Sequence, residues 1–242
     1  MSQDPAHALW PVNKDTTRFL LIRHGETDWN RERRFQGFTD IPLNAAGLKQ
    51  AKALAERFAQ LQKQAKKSLF FSACYSSDLS RAQHTASVLC KACAFEPITS
   101  TTNLRERDYG DMAGLTGDDM AKQFPDAFAG VSQRDPHQLI PNGETLAQFN
   151  SRIISEFQTI EHAHPGQTVL IVAHGGVLDC IFRYVKGLPL EPKRDWLLPN
   201  TALNVVDCIP GHGYVIQMWA DVYHCEASEW SKNLDEVDGR VA

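Results

Sequence analysis

The sequence predicts an α/β fold: a three-layer α/β/α sandwich with a mostly parallel central sheet and a small helical and loop cap insertion. Two observations carry that expectation. Apolar runs of strand length alternate with helix-length segments through most of the chain. Two of the strongest runs, TRFLLI (17–22) and TVLIVA (168–173), also end alike, on a histidine followed by glycine. Ligands of open parallel sheets bind beyond the carboxyl ends of the strands, so this topology lets the two histidines meet.

The elements follow in order. Residues 1–16 are polar, aperiodic and broken by Pro5 and Pro11, and are expected to be a flexible N-terminal extension. The first strand, 17–22, gives way at Arg23-His24-Gly25 to a long loop over 26–43. Asn44 is placed to cap a helix to about 66, with Leu48, Ala51, Leu54, Ala55 and Phe58 on its apolar face. A strand over 69–75 precedes a helix over 79–92, with Ser77 or Asp78 as its cap. A weak strand over 96–101 has Pro97 marking an edge or a strand start. Residues 103–142 are mixed, with a short helix near 117–123. The spacing of Leu146, Phe149, Ile153, Phe157 and Ile160 predicts a helix over 144–162. The strand 168–173, a helix to about 186 and a β-pair at 203–209 and 214–219 complete one domain over 17–225, with the cap insertion at about 111–142. Residues 226–242 read as a polar C-terminal tail.

Composition bounds the function. A net charge of −4 gives no global attraction to nucleic acid or to an anionic membrane, so an anionic substrate needs a local basic pocket. No apolar run reaches the ~18 residues of a membrane span, and residues 1–13 lack the pattern of a signal peptide. The expected setting is cytoplasmic. Six cysteines are scattered, with one Cys90-x-x-Cys93 in the body of a helix and no second pair at metal-binding spacing, so reduced thiols are expected and no metal. Oligomeric state is not written in the sequence, which admits a homodimer without demanding one.

The candidate chemistry gathers at the strand ends. His24 leaves a buried strand beside Arg23, whose planar fork suits an oxyanion. Arg81 lies in the first turns of the helix after the second strand, where dipole and free N–H groups favour an anion. Glu106, Asp108 and Asp111 compete as a proton-transferring carboxyl in LRERDYGD (104–111), a stretch whose bland reading is a solvated charge run. His174 ends the TVLIVA strand, and Gly175-Gly176 opens a helix start suited to phosphate. Two histidines, two arginines and a carboxyl suit a phosphate ester, since phosphoryl transfer needs an in-line nucleophile, charge stabilisation and a leaving-group acid. No P-loop is present.

These segments resemble the histidine phosphatase superfamily, which contains the cofactor-dependent phosphoglycerate mutases. The resemblance rests on LIRHGETDWN (21–30), RFQG (34–37), DIPLNAAG (40–47), SSDLSRAQHTA (76–86), LRERDYGDMAG (104–114), PNGET (141–145) and IVAHGGVLD (171–179), and covers about 18–220. It implies phosphorylation of His24, phosphoryl binding by Arg23, Arg81 and His174, and Glu106 rather than Asp108 as general acid/base. It also implies substrate contacts from Asn30, Gln36, Gly37, Tyr109 and Gly175. The acid-phosphatase branch fits poorly, because glycine follows His174.

Three activities are open: a phosphatase, a phosphoglycerate mutase and a non-enzymatic binder of phosphorylated ligands. The binder is least favoured, since all five chemical positions are kept. A mutase would need more cations in the cap, where 111–142 holds only Lys122 and Arg134 beside several aspartates. Hydrolysis of a small phosphate monoester, a phosphorylated metabolite, is therefore expected. No cofactor is required, and a 2,3-bisphosphoglycerate primer would be needed only by a mutase.

Overall fold

The computed structural model describes residues 4–6, 13–64 and 71–225. Its strands are β1 (Thr17–Arg23), β2 (Ala73–Ser77), β3 (Thr99–Thr101), β4 (Thr168–Ala173), β5 (Leu203–Ile209) and β6 (Gly213–Asp221). They form one sheet in the order β3-β2-β4-β1-β5-β6. β1, β2, β3 and β4 run parallel, whereas β5 and β6 add an antiparallel edge. Pro97 precedes β3, the edge strand, where no ladder donor is lost.

The helices are α1 (Asp28–Arg31), α2 (Ala45–Gln64), α3 (Ser80–Ala92), α4 (Gly117–Gln123), α5 (Pro125–Ser132), α6 (Leu146–Ala163) and α7 (Gly175–Lys186). Alternation along the central strands divides the core into two layers. Leu20 and Ile22 of β1 with Leu170 and Val172 of β4 pack against Leu54 and Phe58 of α2 and Leu89 of α3. Phe19, Leu21, Val169 and Ile171 face the other way, against Phe149, Ile153 and Phe157 of α6 and Val177 and Ile181 of α7. Burial on both faces explains why these strands read as continuous apolar runs. A third, smaller core joins Phe35, Tyr109, Met112, Met120 and Ile140 under α4 and α5, which form the cap.

Several expectations change. Residues 4–6 are not loose: Asp4 pairs with the buried Arg57 at 2.7 Å, and Ala6 is buried in the α2–α3 layer. Residues 1–3, 7–12 and 226–242 lie outside the described residues. The loop over 26–43 contains α1, closed by a capping box between Thr27 and Asn30. The predicted second strand starts later, at Ala73, its expected first residues falling partly outside the description. Asn44 does cap α2, its Oδ1 accepting the Gly47 N–H at 2.9 Å, but Leu48 points out with 41% exposure. α5 follows α4 directly; Pro125 occupies its first turn, where its missing N–H costs nothing.

Candidate active site

The β1–β4 register builds the centre. Arg23 pairs with Ala173, so the next residue on each strand is a histidine. The His24 N–H donates to the Ala173 carbonyl at 2.9 Å. The rings of His24 and His174 then stand edge to face, 5.1 Å between centroids. Both are buried. Gly25 is required at the exit of β1, because a Cβ there would stand 2.6 Å from the Gly47 carbonyl oxygen at the start of α2.

Hydrogen bonds fix both rings. His24 Nδ1 lies 2.7 Å from the Gly25 carbonyl oxygen. A carbonyl only accepts, so Nδ1 carries the proton and Nε2 keeps its lone pair. Burial, then the charges of Arg81 and Arg23, hold the His24 pKa well below the ordinary imidazole value. Burial and the Arg81 charge depress His174 likewise. His174 Nε2 meets the Ser77 hydroxyl at 2.8 Å, and its Nδ1 is buried without a partner among the described residues. With Ser77 donating to Nε2, Nδ1–H is left as a free donor.

An open cleft of about 380 Å³ lies over these rings. Arg23, Arg81, Asn30, Gln36, Glu106 and Tyr109 reach its wall together with both histidines, and so do Arg34 and Phe35, which sequence reasoning did not single out. Arg23 donates from Nη1 to the Leu198 carbonyl at 2.7 Å. Arg81 donates to the carbonyls of Thr39 and Gly37 at 2.9 Å each, while its Nε has no partner. Burial brings the Arg81 pKa down to about 10, so it stays cationic at neutral pH. The Gln36 Oε1 is likewise buried and unpartnered.

Glu106 is held by two backbone donors. The Arg107 N–H reaches Oε1 and the Gly176 N–H reaches Oε2, each at 2.9 Å. A Cβ on Gly176 would collide with the Glu106 carboxylate. The start of α7 thus seats this carboxylate, where phosphate was expected. Asp108 turns instead to the Gly110 N–H at 2.9 Å, and Asp111 to Asn142 at 3.0 Å. Two further expectations are revised. The start of α3 faces Asp40, whose Oδ1 accepts the Ser80 N–H at 2.7 Å, so the side chain of Arg81 rather than the helix end reaches the cleft. The helix has no side-chain cap, because its N-cap is Leu79, which carries no acceptor; Ser77 lies two residues earlier and its hydroxyl meets His174. Gly37 and Gly175 stand behind the cleft: Gly37 holds Arg81, and Gly175 is buried in the first turn of α7.

Residues that sequence reasoning missed brace the centre. The Thr85 hydroxyl accepts the Gly25 N–H at 3.1 Å, and Asn200 Nδ2 donates to the His24 carbonyl at 2.8 Å. Thr85 falls inside the SSDLSRAQHTA segment (76–86), where nothing in the sequence gave it a role of its own. Among the described residues no cluster of His, Cys, Asp and Glu could hold a metal ion. No described helix is long and apolar enough to cross a membrane.

The model of the histidine phosphatase superfamily (branch 1) matches residues 19–222. The chain belongs to that family. Among its relatives is phosphoglycerate mutase-like protein 4 of Arabidopsis thaliana, 37% identical over 213 residues, with 88% of each chain covered. The metal-independent phosphoserine phosphatase of the same plant is 34% identical over 214 residues, covering 88% of this chain and 85% of that protein. The solved structure of Bacillus stearothermophilus YhfR superposes with a TM-score of 0.76 at 32% identity, covering 87% of this chain and all of that one. This histidine phosphatase has the family's sheet and helix layers.

Proposed function

We propose that the protein hydrolyses a small phosphate monoester through phosphorylated His24. The observation that carries this reading is the pair of neutral, buried imidazoles between Arg23 and Arg81 at the ends of two adjacent parallel strands. In the first step His24 Nε2 attacks phosphorus and the ester P–O bond breaks. Protonated Glu106 gives its proton to the departing alkoxide. The cation left on the His24 ring is stabilised by the Gly25 carbonyl at Nδ1. Arg23, Arg81 and the His174 Nδ1–H hold the equatorial oxygens, with Asn30 and Gln36 reaching from the loop. In the second step the Glu106 carboxylate takes a proton from water, the oxygen attacks phosphorus, the P–N bond breaks, and phosphate leaves with His24 restored.

Water is favoured over a sugar-acid hydroxyl as acceptor by the cap. Lys122 is exposed on α4 and does not line the cleft, and Arg134 is tied to Asp179 at 2.8 Å. A metal-independent, cytoplasmic enzyme belongs to the same reading, which six free thiols support.

The test is acid-labile labelling and turnover. Wild type is expected to form a phosphohistidine and release phosphate from an ester panel, and His24→Ala to lose both by roughly four orders of magnitude or more. An active His24→Ala protein would refute the mechanism. Faster 3-phosphoglycerate interconversion with a bisphosphoglycerate primer than phosphate release would reassign the enzyme as a mutase.

A further inference from the structure

The loop that leads into β5 holds the end of β1 at three points. The Leu198 carbonyl accepts from Arg23 Nη1 at 2.7 Å, Asn200 Nδ2 donates to the His24 carbonyl at 2.8 Å, and the Thr201 N–H donates to the Arg23 carbonyl at 3.0 Å. All three loop residues are buried. Thr201 sits there at φ 57°, the only β-branched residue among the described ones in the left-handed region. A branched side chain is crowded against its own backbone in that region, so the geometry persists only where surrounding contacts impose it.

The Thr201 hydroxyl makes such a contact. It lies 3.1 Å from His224 Nε2. Burial, then the Arg57 charge, depresses His224 to about 4, so the ring is neutral at pH 7 and the link joins uncharged groups. The turn after β6 places His224: the Tyr223 N–H donates to Asp221 Oδ1 and the Cys225 N–H to the Val222 carbonyl, each at 2.8 Å. Arg57 of α2 anchors this turn. Its Nη2 donates to Asp221 Oδ2 at 2.6 Å, and its guanidinium carbon lies 5.3 Å from the centre of the Tyr223 ring. The same Arg57 binds Asp4 at 2.7 Å. Both ends of the described chain thus bear on Thr201, and Thr201 bears on the strand end that carries Arg23 and His24.

We propose that His224 is a positioning residue for phosphoryl transfer: it keeps Thr201 in the left-handed conformation, and Thr201 and Asn200 in turn set the carbonyls of Arg23 and His24. His24 Nδ1 is tied to the neighbouring Gly25 carbonyl, so the angle of the ring follows the backbone that this loop holds. A nucleophile must meet phosphorus in line with the leaving oxygen, and a small displacement carries a large rate cost. The proposal rests on the phosphohistidine reading above.

The test compares His224→Phe, which keeps a ring without the hydrogen bond, with His224→Gln, whose amide replaces the ring nitrogen. His224→Phe is expected to lower kcat about 10–100-fold with KM nearly unchanged, by the same factor on alkyl esters and p-nitrophenyl phosphate, and His224→Gln to recover most of it. Thr201→Gly removes the crowding itself, so adding His224→Phe to it should cost no further activity. A His224→Phe protein that melts early yet turns over at the wild-type rate would overturn the proposal. So would an equal loss from His224→Phe with and without Thr201→Gly. If His224→Phe does not fold, Thr201→Val reads the same link from the other side: it is expected to show the same loss, and a wild-type kcat would overturn the proposal. Vanadate, which adopts the five-coordinate geometry of a phosphoryl group in transfer, gives a readout independent of turnover, and its Kd is expected to rise by a similar factor in His224→Phe. Wild type that binds vanadate but releases phosphate from no ester would overturn the hydrolase reading and leave the vanadate comparison to decide the role of His224. Wild type that does neither would overturn both.

Discussion

The two halves of the site are built differently. On the phosphate side, Arg23, His24 and His174 stand at the ends of β1 and β4, and the two arginines there spend donors on backbone carbonyls of Leu198, Gly37 and Thr39. On the other side the walls come from a loop, α5 and the starts of α6 and α7, and the buried Arg107 leaves its Nη2 without a partner among the described residues. Sheet register fixes the phosphate half to within the ladder geometry, whereas the cap half depends on a small separate core of Phe35, Tyr109, Met112, Met120 and Ile140. On the proposed mechanism, chemistry common to every ester rests on the sheet, and choice among esters rests on the insertion.

Glu106 is where the halves meet, and the largest effect short of losing His24 itself is expected there. Gly176→Ala puts a methyl into the carboxylate. It should cut kcat about 10²–10⁴-fold, the contribution of general acid–base catalysis, on alkyl esters and much less on p-nitrophenyl phosphate, whose leaving group needs no acid. Equal losses on both would detach Glu106 from proton transfer.

The phosphate half alone should respond to pH. His24 and His174 are held neutral by burial, well below the 6.5 of a free imidazole. In the window below 6.5 the unfolded chain binds protons that the folded one does not. Stability is then full above that value and falls as pH drops through it, by ~1.4 kcal/mol per pH unit for each imidazole, before the folded values are reached. Urea unfolding without phosphate should show a slope near three protons, two from His24 and His174 and one from His224, reduced by about one in His174→Asn. His224, depressed to about 4 by burial, adds to the same limb in both proteins.

The smallest effect separates the halves most cleanly. Ser77→Ala removes the hydroxyl that orients His174. A loss of roughly tenfold, at the low end for a partner that orients a functional histidine, is expected on every ester alike, with Ser77→Thr recovering most of it. A loss that depended on the leaving group would mean that the two halves are not separable.

The phosphate half was also the legible half. Strand ends marked by His24 and His174, and the helix spacing behind them, depend on local pattern that burial on both faces makes plain. Glu106 came from the family resemblance; its pattern alone left Asp108 in contention. Arg107 was hidden in a charge run, because nothing local says that one of the two arginines in 104–111 is buried against Glu144 and Tyr109. α5 escaped for a different reason: its eight residues are too few to show a helical repeat, and Ala127, Phe128 and Val131, which pack on the cap core, are only partly buried. Asp4 and Ala6 read as tail since their partners, Arg57 and the α2–α3 layer, lie some fifty residues away.

The pairing of β1 with β4 has a consequence for assembly. His24 and His174 are 150 residues apart in the chain, and Asn200, which braces the His24 carbonyl, comes later still. During synthesis the first histidine emerges long before its partner, and forming their contact requires closure of the 150-residue stretch between them. Fragments ending before β4 hold Arg23, His24, Arg81 and Glu106 yet lack the second imidazole. Phosphoenzyme formation would then appear only once the sheet is complete, making it a late and sensitive reporter of folding to the native register.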